Sequence, residues 1–190
     1  DDPWVIMYTS GTTGNPKGAV LTHRNLACDA RNIIGTWEIT ETDVLCHALP
    51  LFHVHGLCFA LHTALLAGSS VALLDQFQPE TVLDVLARKD PKGTCTVFMA
   101  VPAMYTKLMD AKMVERNRFD HIRLWTSGSA PLLVKDFDRI KKVFGKEPVE
   151  REGMSETGMN FSNPLHGKRK PGSIGIPLTG LAVRIVDPNT

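Results

Sequence analysis

The run Tyr8-Thr9-Ser10-Gly11-Thr12-Thr13-Gly14-Asn15-Pro16-Lys17-Gly18 packs three glycines, four aliphatic hydroxyls and one lysine into a single short segment. A glycine-rich backbone turns tightly and aims successive N–H groups at one place, and hydroxyls and an ammonium add donors around it. That is the chemistry of gripping a polyphosphate. The order Pro16-Lys17-Gly18 is not a Walker A loop, which closes on Gly-Lys-Ser/Thr. The competing reading is a solvated Gly/Thr turn, which rarely holds a lone lysine inside so tight a cluster.

Two further groups of residues carry chemistry. His53 and His55 stand two apart in Pro50-Leu51-Phe52-His53-Val54-His55-Gly56. On a strand they share a face; a zinc site is disfavoured, because no third ligand follows at metal spacing. Arg151 stands just before Gly153-Met154-Ser155-Glu156-Thr157. Its planar fork pairs with a carboxylate in bidentate geometry, which suits an acid substrate with a second carboxylate. The bland alternative pairs it with Glu150 or Glu152.

The elements that must position these residues alternate between strand and helix. Trp4 to Tyr8 reads as a buried strand that feeds the glycine loop. Thr22 is placed to cap a helix through about Ile34. Val44 to Leu49 reads as a strand leading into the histidine motif. Leu57 to Ala67 has helical apolar spacing and stops at Gly68. Strands are expected at Val71 to Leu74, Thr96 to Ala100, Leu124 to Thr126, Val149 to Arg151 and Leu181 to Val186. Helices are expected from Pro79 to Lys89, Ala103 to Asp110 and Leu132 to Phe144. The rhythm argues for an α/β fold, a mostly parallel sheet covered by helices, with ligands at the carboxyl ends of the strands.

The chain has 190 residues, 43% hydrophobic and 22% charged, enough for one domain with a sizeable core. A net charge of +1 gives no electrostatic case for nucleic acid or a membrane surface. Cys28, Cys46, Cys58 and Cys95 are far apart and read as reduced core thiols of a cytoplasmic protein. Lys168-Arg169-Lys170 reads as a solvated loop, with a coenzyme A phosphate contact as the alternative.

The glycine loop resembles the signature phosphate loop of the adenylate-forming superfamily of acyl-CoA synthetases, luciferases and peptide-synthetase adenylation domains. Four more segments, in the same order, resemble that superfamily's later motifs. They are the His53–His55 segment, Ser127-Gly128-Ser129-Ala130-Pro131, the Gly153–Thr157 segment, and Pro171-Gly172-Ser173-Ile174-Gly175-Ile176-Pro177. Phrases such as Phe52-His53-Val54-His55-Gly56 and Ser127-Gly128-Ser129-Ala130-Pro131-Leu132-Leu133 are most like malonyl-CoA synthetases.

The resemblance implies an acid–thiol ligase that converts a carboxylate to an acyl-adenylate with ATP and Mg²⁺, then to a coenzyme A thioester. It implies that Thr9, Ser10, Gly11, Thr12, Thr13, Gly14 and Lys17 meet the β- and γ-phosphates. Ser127, Gly128, Ser129, Ala130 and Pro131, with Glu152, Gly153 and Met154, would line the adenine. Ser155 would meet the α-phosphate and Glu156 would hold Mg²⁺, which takes hard oxygen ligands. His53 would border the path from acyl site to thiol tunnel, His55 would face the acyl group, and Arg151 would contact malonate's free carboxylate. Relatives carry an aromatic ring, which stacks on adenine, where Glu152 stands. A carboxylate cannot stack, and it is placed to pair with Arg151.

Residues 1–190 are then expected to be an internal piece of the large N-terminal domain. The ribose-binding aspartate and the mobile C-terminal domain with its adenylation lysine would lie elsewhere in the parent, and the piece alone would not turn over. An organellar parent stays open. A medium- or long-chain fatty acid or aryl acid, a peptide-synthetase adenylation domain, and a non-catalytic nucleotide-binding relative are the alternatives.

Overall fold

The computed structural model describes residues 2–9, 14–90, 93–112 and 119–187. The glycine loop joins two strands of an antiparallel hairpin, β1 (Pro3–Thr9) and β2 (Lys17–Thr22). β1 is therefore not the buried strand expected from its apolar run. It stands outside the main sheet, with Met7 turned inward and Ile6 and Tyr8 exposed. Thr22 closes the hairpin and caps α1 (His23–Trp37) through a capping box with Asn25. The helix runs one turn past Ile34 to Trp37, and Glu38 ends it in the left-handed conformation at φ 50°.

The main sheet has seven strands in the order β4-β3-β5-β6-β7-β8-β9. β3 (Val44–His47), β4 (Ser70–Leu73), β5 (Val97–Ala100), β6 (Leu124–Ser127) and β7 (Val149–Met154) pair in parallel. β8 (Gly158–Ser162) and β9 (Ile176–Pro177) add an antiparallel edge that is not among the expected strands. Leu181 to Val186, expected as a strand, is irregular and half-exposed or exposed, with no strand partner among the described residues. An alternating pattern without a neighbour to take its hydrogen bonds does not make a strand.

β5 and β6 are buried at every residue, as in a sheet covered on both faces. Two groups of helices pack among themselves: α1 with the segment 55–66, and α3 (Pro79–Ala87), α4 (Pro102–Asp110) and α5 (Val134–Phe144) with one another. An aromatic cluster sits beneath α4 and α5, where Trp125 stacks on Phe144 at 4.5 Å and meets Phe98 and Phe119 edge-on. The helix expected from Leu57 to Ala67 is a π-helix, His55–His62, continued by the short α2 (Thr63–Leu66). π-helical turns are rare and concentrate at functional sites.

Two arginines tie separate segments of the chain together. Asp43 accepts from Arg123 Nε at 2.7 Å and Nη2 at 2.6 Å, and the same guanidinium reaches the Trp37 and Glu38 carbonyls. Arg169 donates to the carbonyls of Glu147, Pro164 and Leu165, so this member of the basic cluster is a loop clamp and not a solvated charge. All four cysteines are free thiols, and Cys28, expected in the core, is exposed on α1.

Candidate active site

β3 lies between β4 and β5, so the chain leaves β3 in one direction and returns on its other side. Ligands of parallel sheets bind in the crevice where the order reverses, at the carboxyl ends. A cavity of about 790 Å³ opens there, lined by residues 48–53, 73–77, His55, Val101 and Ser129. His53 and His55 both border it. The backbone N–H of His55 donates to His53 Nδ1 at 3.1 Å, so neutral His53 carries its proton on Nε2. Burial, with the charge of Arg151, holds His53 below its ordinary value of 6.5. His55 is only 2% exposed, and burial, then the charges of Arg151, His53 and His47, keeps it well below that value.

Ser129 connects this cavity to the glycine motif after β6. Its backbone is left-handed at φ 66°, and its hydroxyl lies 3.1 Å from His55 Nδ1. The motif after β6 and the histidine motif after β3 thus meet through Ser129 and His55. A second cavity of about 420 Å³ is lined by Ser127, Ser129, Ala130 and Pro131 on one side and Arg151, Glu152 and Gly153 on the other.

Arg151 is 3% exposed on β7. Its guanidinium carbon lies 5.1 Å from the centroid of the Phe59 ring, which the π-helix presents one turn after His55. On its other side is Gly128, where any Cβ would come within 2.5 Å of Nε. Nε, Nη1 and Nη2 are all buried without a hydrogen-bond partner. Burial pulls its pKa down to about 10, against the charges of Glu152 and Asp29, so it stays a cation at neutral pH.

Neither adjacent glutamate pairs with it. Glu152 accepts from Asn160 Nδ2 at 3.1 Å across the β7–β8 pair, and Glu150 accepts from the Gly172 N–H at 2.9 Å. No guanidinium nitrogen has a hydrogen-bond partner, so neither carboxylate is bonded to Arg151, and Glu152 acts on it only through its charge. The expectation that Glu152 pairs with Arg151 is thus corrected. Glu150 instead ties the Pro171–Pro177 motif to the sheet, and burial raises its pKa in opposition to the Gly172 hydrogen bond.

Ser155 and Glu156 occupy the turn between β7 and β8. Glu156 is exposed, and the turn lines a pocket of about 200 Å³ with Val20 and Leu21 of β2 and Asn25 and Asp29 of α1. The hairpin that bears the glycine loop therefore comes to the Glu156 turn. Of that loop, Thr9, Gly14 and Lys17 are described, with Thr9 Oγ1 donating to the Lys17 carbonyl at 3.4 Å and Lys17 exposed. Ser10, Gly11, Thr12 and Thr13 lie outside the described residues. No group of three or more His, Cys, Asp or Glu among the described residues could hold a metal by itself.

Sequence reasoning missed Phe59, Asp29 and His47. Phe59 lies in an apolar run and carries no signal beyond its spacing from His55. His47, at the end of β3, is fully buried with both ring nitrogens unpartnered, and burial lowers its pKa.

Polar residues and glycine-rich turns gathered at the carboxyl ends of a parallel sheet define an α/β ligand-binding domain. All of residues 1–190 match the family described as AMP-binding enzyme, and the chain belongs to that family. It is 42% identical to mouse "Malonate--CoA ligase ACSF3, mitochondrial", over 97% of this chain and 33% of that protein. The human protein of the same name is 41% identical over 97% of this chain and 34% of its own length. Among solved structures, ATP-bound MatB from Rhodopseudomonas palustris superposes with a TM-score of 0.89 at 44% identity, over 97% of this chain and 36% of that one. The chain thus spans about a third of the length of these relatives. The resemblance read from the five motifs, and the α/β fold of an adenylate-forming N-terminal domain, are both borne out.

Proposed function

We propose that this chain forms the nucleotide- and acid-binding part of an ATP-dependent malonate–CoA ligase, acting with a C-terminal domain of the full-length protein. The observation that carries the reading is Arg151: a buried cation, still charged at neutral pH, with three nitrogens lacking partners at the wall of a cavity. Leaving such a group unpaired is costly, and a second carboxylate on the substrate supplies the missing acceptor. A fatty or aryl acid supplies none. The malonate–CoA ligases among the relatives favour the same substrate.

In this reading the distal carboxylate is held by Arg151 and faces His55, while the proximal carboxylate attacks the α-phosphorus of ATP and pyrophosphate leaves. Thr9, Gly14 and Lys17, with residues 10–13, hold the leaving phosphates, and donors already in place stabilise the charge that develops there. Ser155 meets the α-phosphate. Glu156 suits Mg²⁺, which takes one or two carboxylates and fills its remaining positions with phosphate oxygens and water. Held by Glu156, Mg²⁺ would supply positive charge beside the departing pyrophosphate. Ser127 to Pro131 and Glu152 to Met154 flank the adenine. Glu152, which accepts from Asn160, offers its carboxylate as a hydrogen-bond acceptor there. The 790 Å³ cavity beside His53 admits the coenzyme A thiol, which attacks the acyl carbon and releases AMP. Relatives named as mitochondrial favour an organellar compartment over the cytoplasmic one.

The test is pyrophosphate release by the full-length protein with ATP and Mg²⁺ over malonate, methylmalonate, acetate, octanoate and benzoate. Release confined to malonate and methylmalonate is expected. Release with octanoate or benzoate and none with malonate overturns the substrate assignment.

A further inference from the structure

Asp29 has no part in the reading above, yet it sits against the turn on which that reading depends. It lies in the middle of α1, partly buried, and its Oδ1 accepts the backbone N–H of Met159 at 2.9 Å. Met159 is the second residue of β8, three residues after Glu156. The first residue of β8, Gly158, faces the helix carboxylate and is left-handed at φ 80°. A Cβ there would meet Asp29 Oδ1 at 2.7 Å and Cγ at 2.9 Å, so glycine alone lets the helix carboxylate come this close.

A second contact joins the same two elements further along. Trp37 Nε1 donates to Ser162 Oγ at 2.9 Å, and both residues are buried. Residues 29 and 37 are separated by about 12 Å along a helix, and residues 159 and 162 by about 10 Å along a strand. The two spacings agree, so α1 holds β8 at two points and fixes both its position and its direction. Removing the Trp37 contact would leave the far end of β8 loose; removing the Asp29 contact would loosen the end that carries the turn. The base of the turn is already crowded. The pairing slips between Glu152 and Gly153, and a Cβ on Gly153 would meet the Gly158 carbonyl at 2.8 Å.

We propose that Asp29 is a positioning residue for the Ser155–Glu156 turn: its carboxylate fastens the Met159 N–H to α1 and so sets where Glu156 meets Mg·ATP. The proposal rests on the role given to Glu156 above. It assigns Asp29 no contact with substrate.

The test uses Asp29→Leu, Asp29→Ala, Asp29→Asn and Gly158→Ala in the full-length protein. Each is read by the half-saturating Mg·ATP concentration, the KM for malonate and hydrogen exchange at the Met159 amide. Because small displacements of a positioned group carry large kinetic penalties, Asp29→Leu is expected to raise half-saturating Mg·ATP about tenfold or more, with the malonate KM changed less than about threefold. Asp29→Asn keeps an acceptor oxygen and is expected to stay within about threefold of the parent on both constants. Gly158→Ala sets a Cβ against the intact carboxylate and also strains a left-handed backbone, so it should impair Mg·ATP use at least as much as Asp29→Leu; Asp29→Ala, with the same expectation as Asp29→Leu, carries the test if Asp29→Leu does not fold. Equal effects on Mg·ATP and malonate, or an Asn variant as impaired as the Leu variant, overturn the proposal. If the parent releases no pyrophosphate with any acid, the ligase reading fails by itself. The Met159 amide must still exchange faster in Asp29→Leu than in Asp29→Asn, and equal exchange overturns the anchoring.

Discussion

Replacing Arg151 by methionine should move stability and substrate choice in opposite directions. The guanidinium is buried between the Phe59 ring and Gly128 with all three nitrogens unpartnered. In the free protein it is therefore a buried charge without a hydrogen-bond partner, offset only through space by Glu152 and Asp29. Exchanging buried charged groups for apolar ones of similar volume is often stabilising, by about 1–4 kcal/mol. Loss of the cation–π contact works against this by about 0.5–2 kcal/mol, and a thioether beside the Phe59 ring recovers part of that. The net expectation is a rise in melting temperature of about 2–4 °C for each kcal/mol gained in a chain of this size. With the dicarboxylate bound, the sign reverses. Truncating one partner of a buried, hydrogen-bonded charge pair costs about 2–5 kcal/mol. At about 1.4 kcal/mol per tenfold, kcat/KM for malonate should fall by a factor of about 30 to several thousand, while acetate, with no second carboxylate to lose, changes little. Thermal melting of the chain and pyrophosphate release by the full-length protein read the two effects separately. A variant that melts lower and keeps the parent ratio of malonate to acetate would refute the reasoning, because Arg151 would then be an ordinary structural cation.

Other perturbations test the frame around the site. Arg123→Met should destabilise the chain by about 2–3 kcal/mol, below the full range for a buried pair because the arginine is part-exposed. Burial alone would raise the Asp43 carboxyl, but hydrogen bonds from Arg123, Thr96 and Thr40 outweigh it and hold the pKa below its ordinary 3.8. Its stabilisation is thus present above that value and lost as pH falls below it, so urea unfolding of the variant should lack this acid limb. His47, His53 and His55 are all held below 6.5, chiefly by burial. A group whose folded pKa is depressed gives stability that is present above its unfolded pKa and lost as pH falls, so these three weaken the fold below about pH 6.5. Asp29, raised to about 6, and Glu150, also raised, act in the opposite sense, so the effect is read as a difference. His47→Leu should raise the urea midpoint at pH 5 more than at pH 7.5; an equal shift at both would remove His47 from that account.

The elements with their own periodicity were legible. α1, α3, α4 and α5 and the five parallel strands lie close to where the apolar spacing puts them, because packing there follows the pattern along the chain. What escaped depends on partners. Trp4 to Met7 reads as a buried strand because four apolar residues are consecutive, but β1 pairs only with β2 and leaves Ile6 and Tyr8 exposed. β8 is Gly-Met-Asn-Phe-Ser, whose alternation lasts only four residues, too short to be decisive by itself; β7, β9 and Asp29 hold it as a strand. The π-helix has the composition of an α-helix. At its start a Cβ on Gly56 would lie 2.2 Å from the Pro50 carbonyl, a closeness that only a glycine tolerates and that no spacing rule reveals.

The candidate site shows the same division more sharply. The sequence presents Arg151, His55 and Ser129 as members of three separate motifs with three separate duties. In the fold, Ser129 touches His55, His55 and Arg151 share the Phe59 ring as neighbour, and Gly128 gives the guanidinium its room. A glycine-rich motif is usually read as backbone freed for phosphates. Here Gly128 and Gly158 serve a different need: each lets a charged side chain from elsewhere in the fold approach the main chain, Arg151 in one case and Asp29 in the other. A methyl group at Gly128 would displace a charge alone, whereas at Gly158 it would meet the Asp29 carboxylate and also strain a backbone held at φ 80°. On the function proposed above, substitution should disturb acid selection at Gly128 and Mg·ATP use at Gly158.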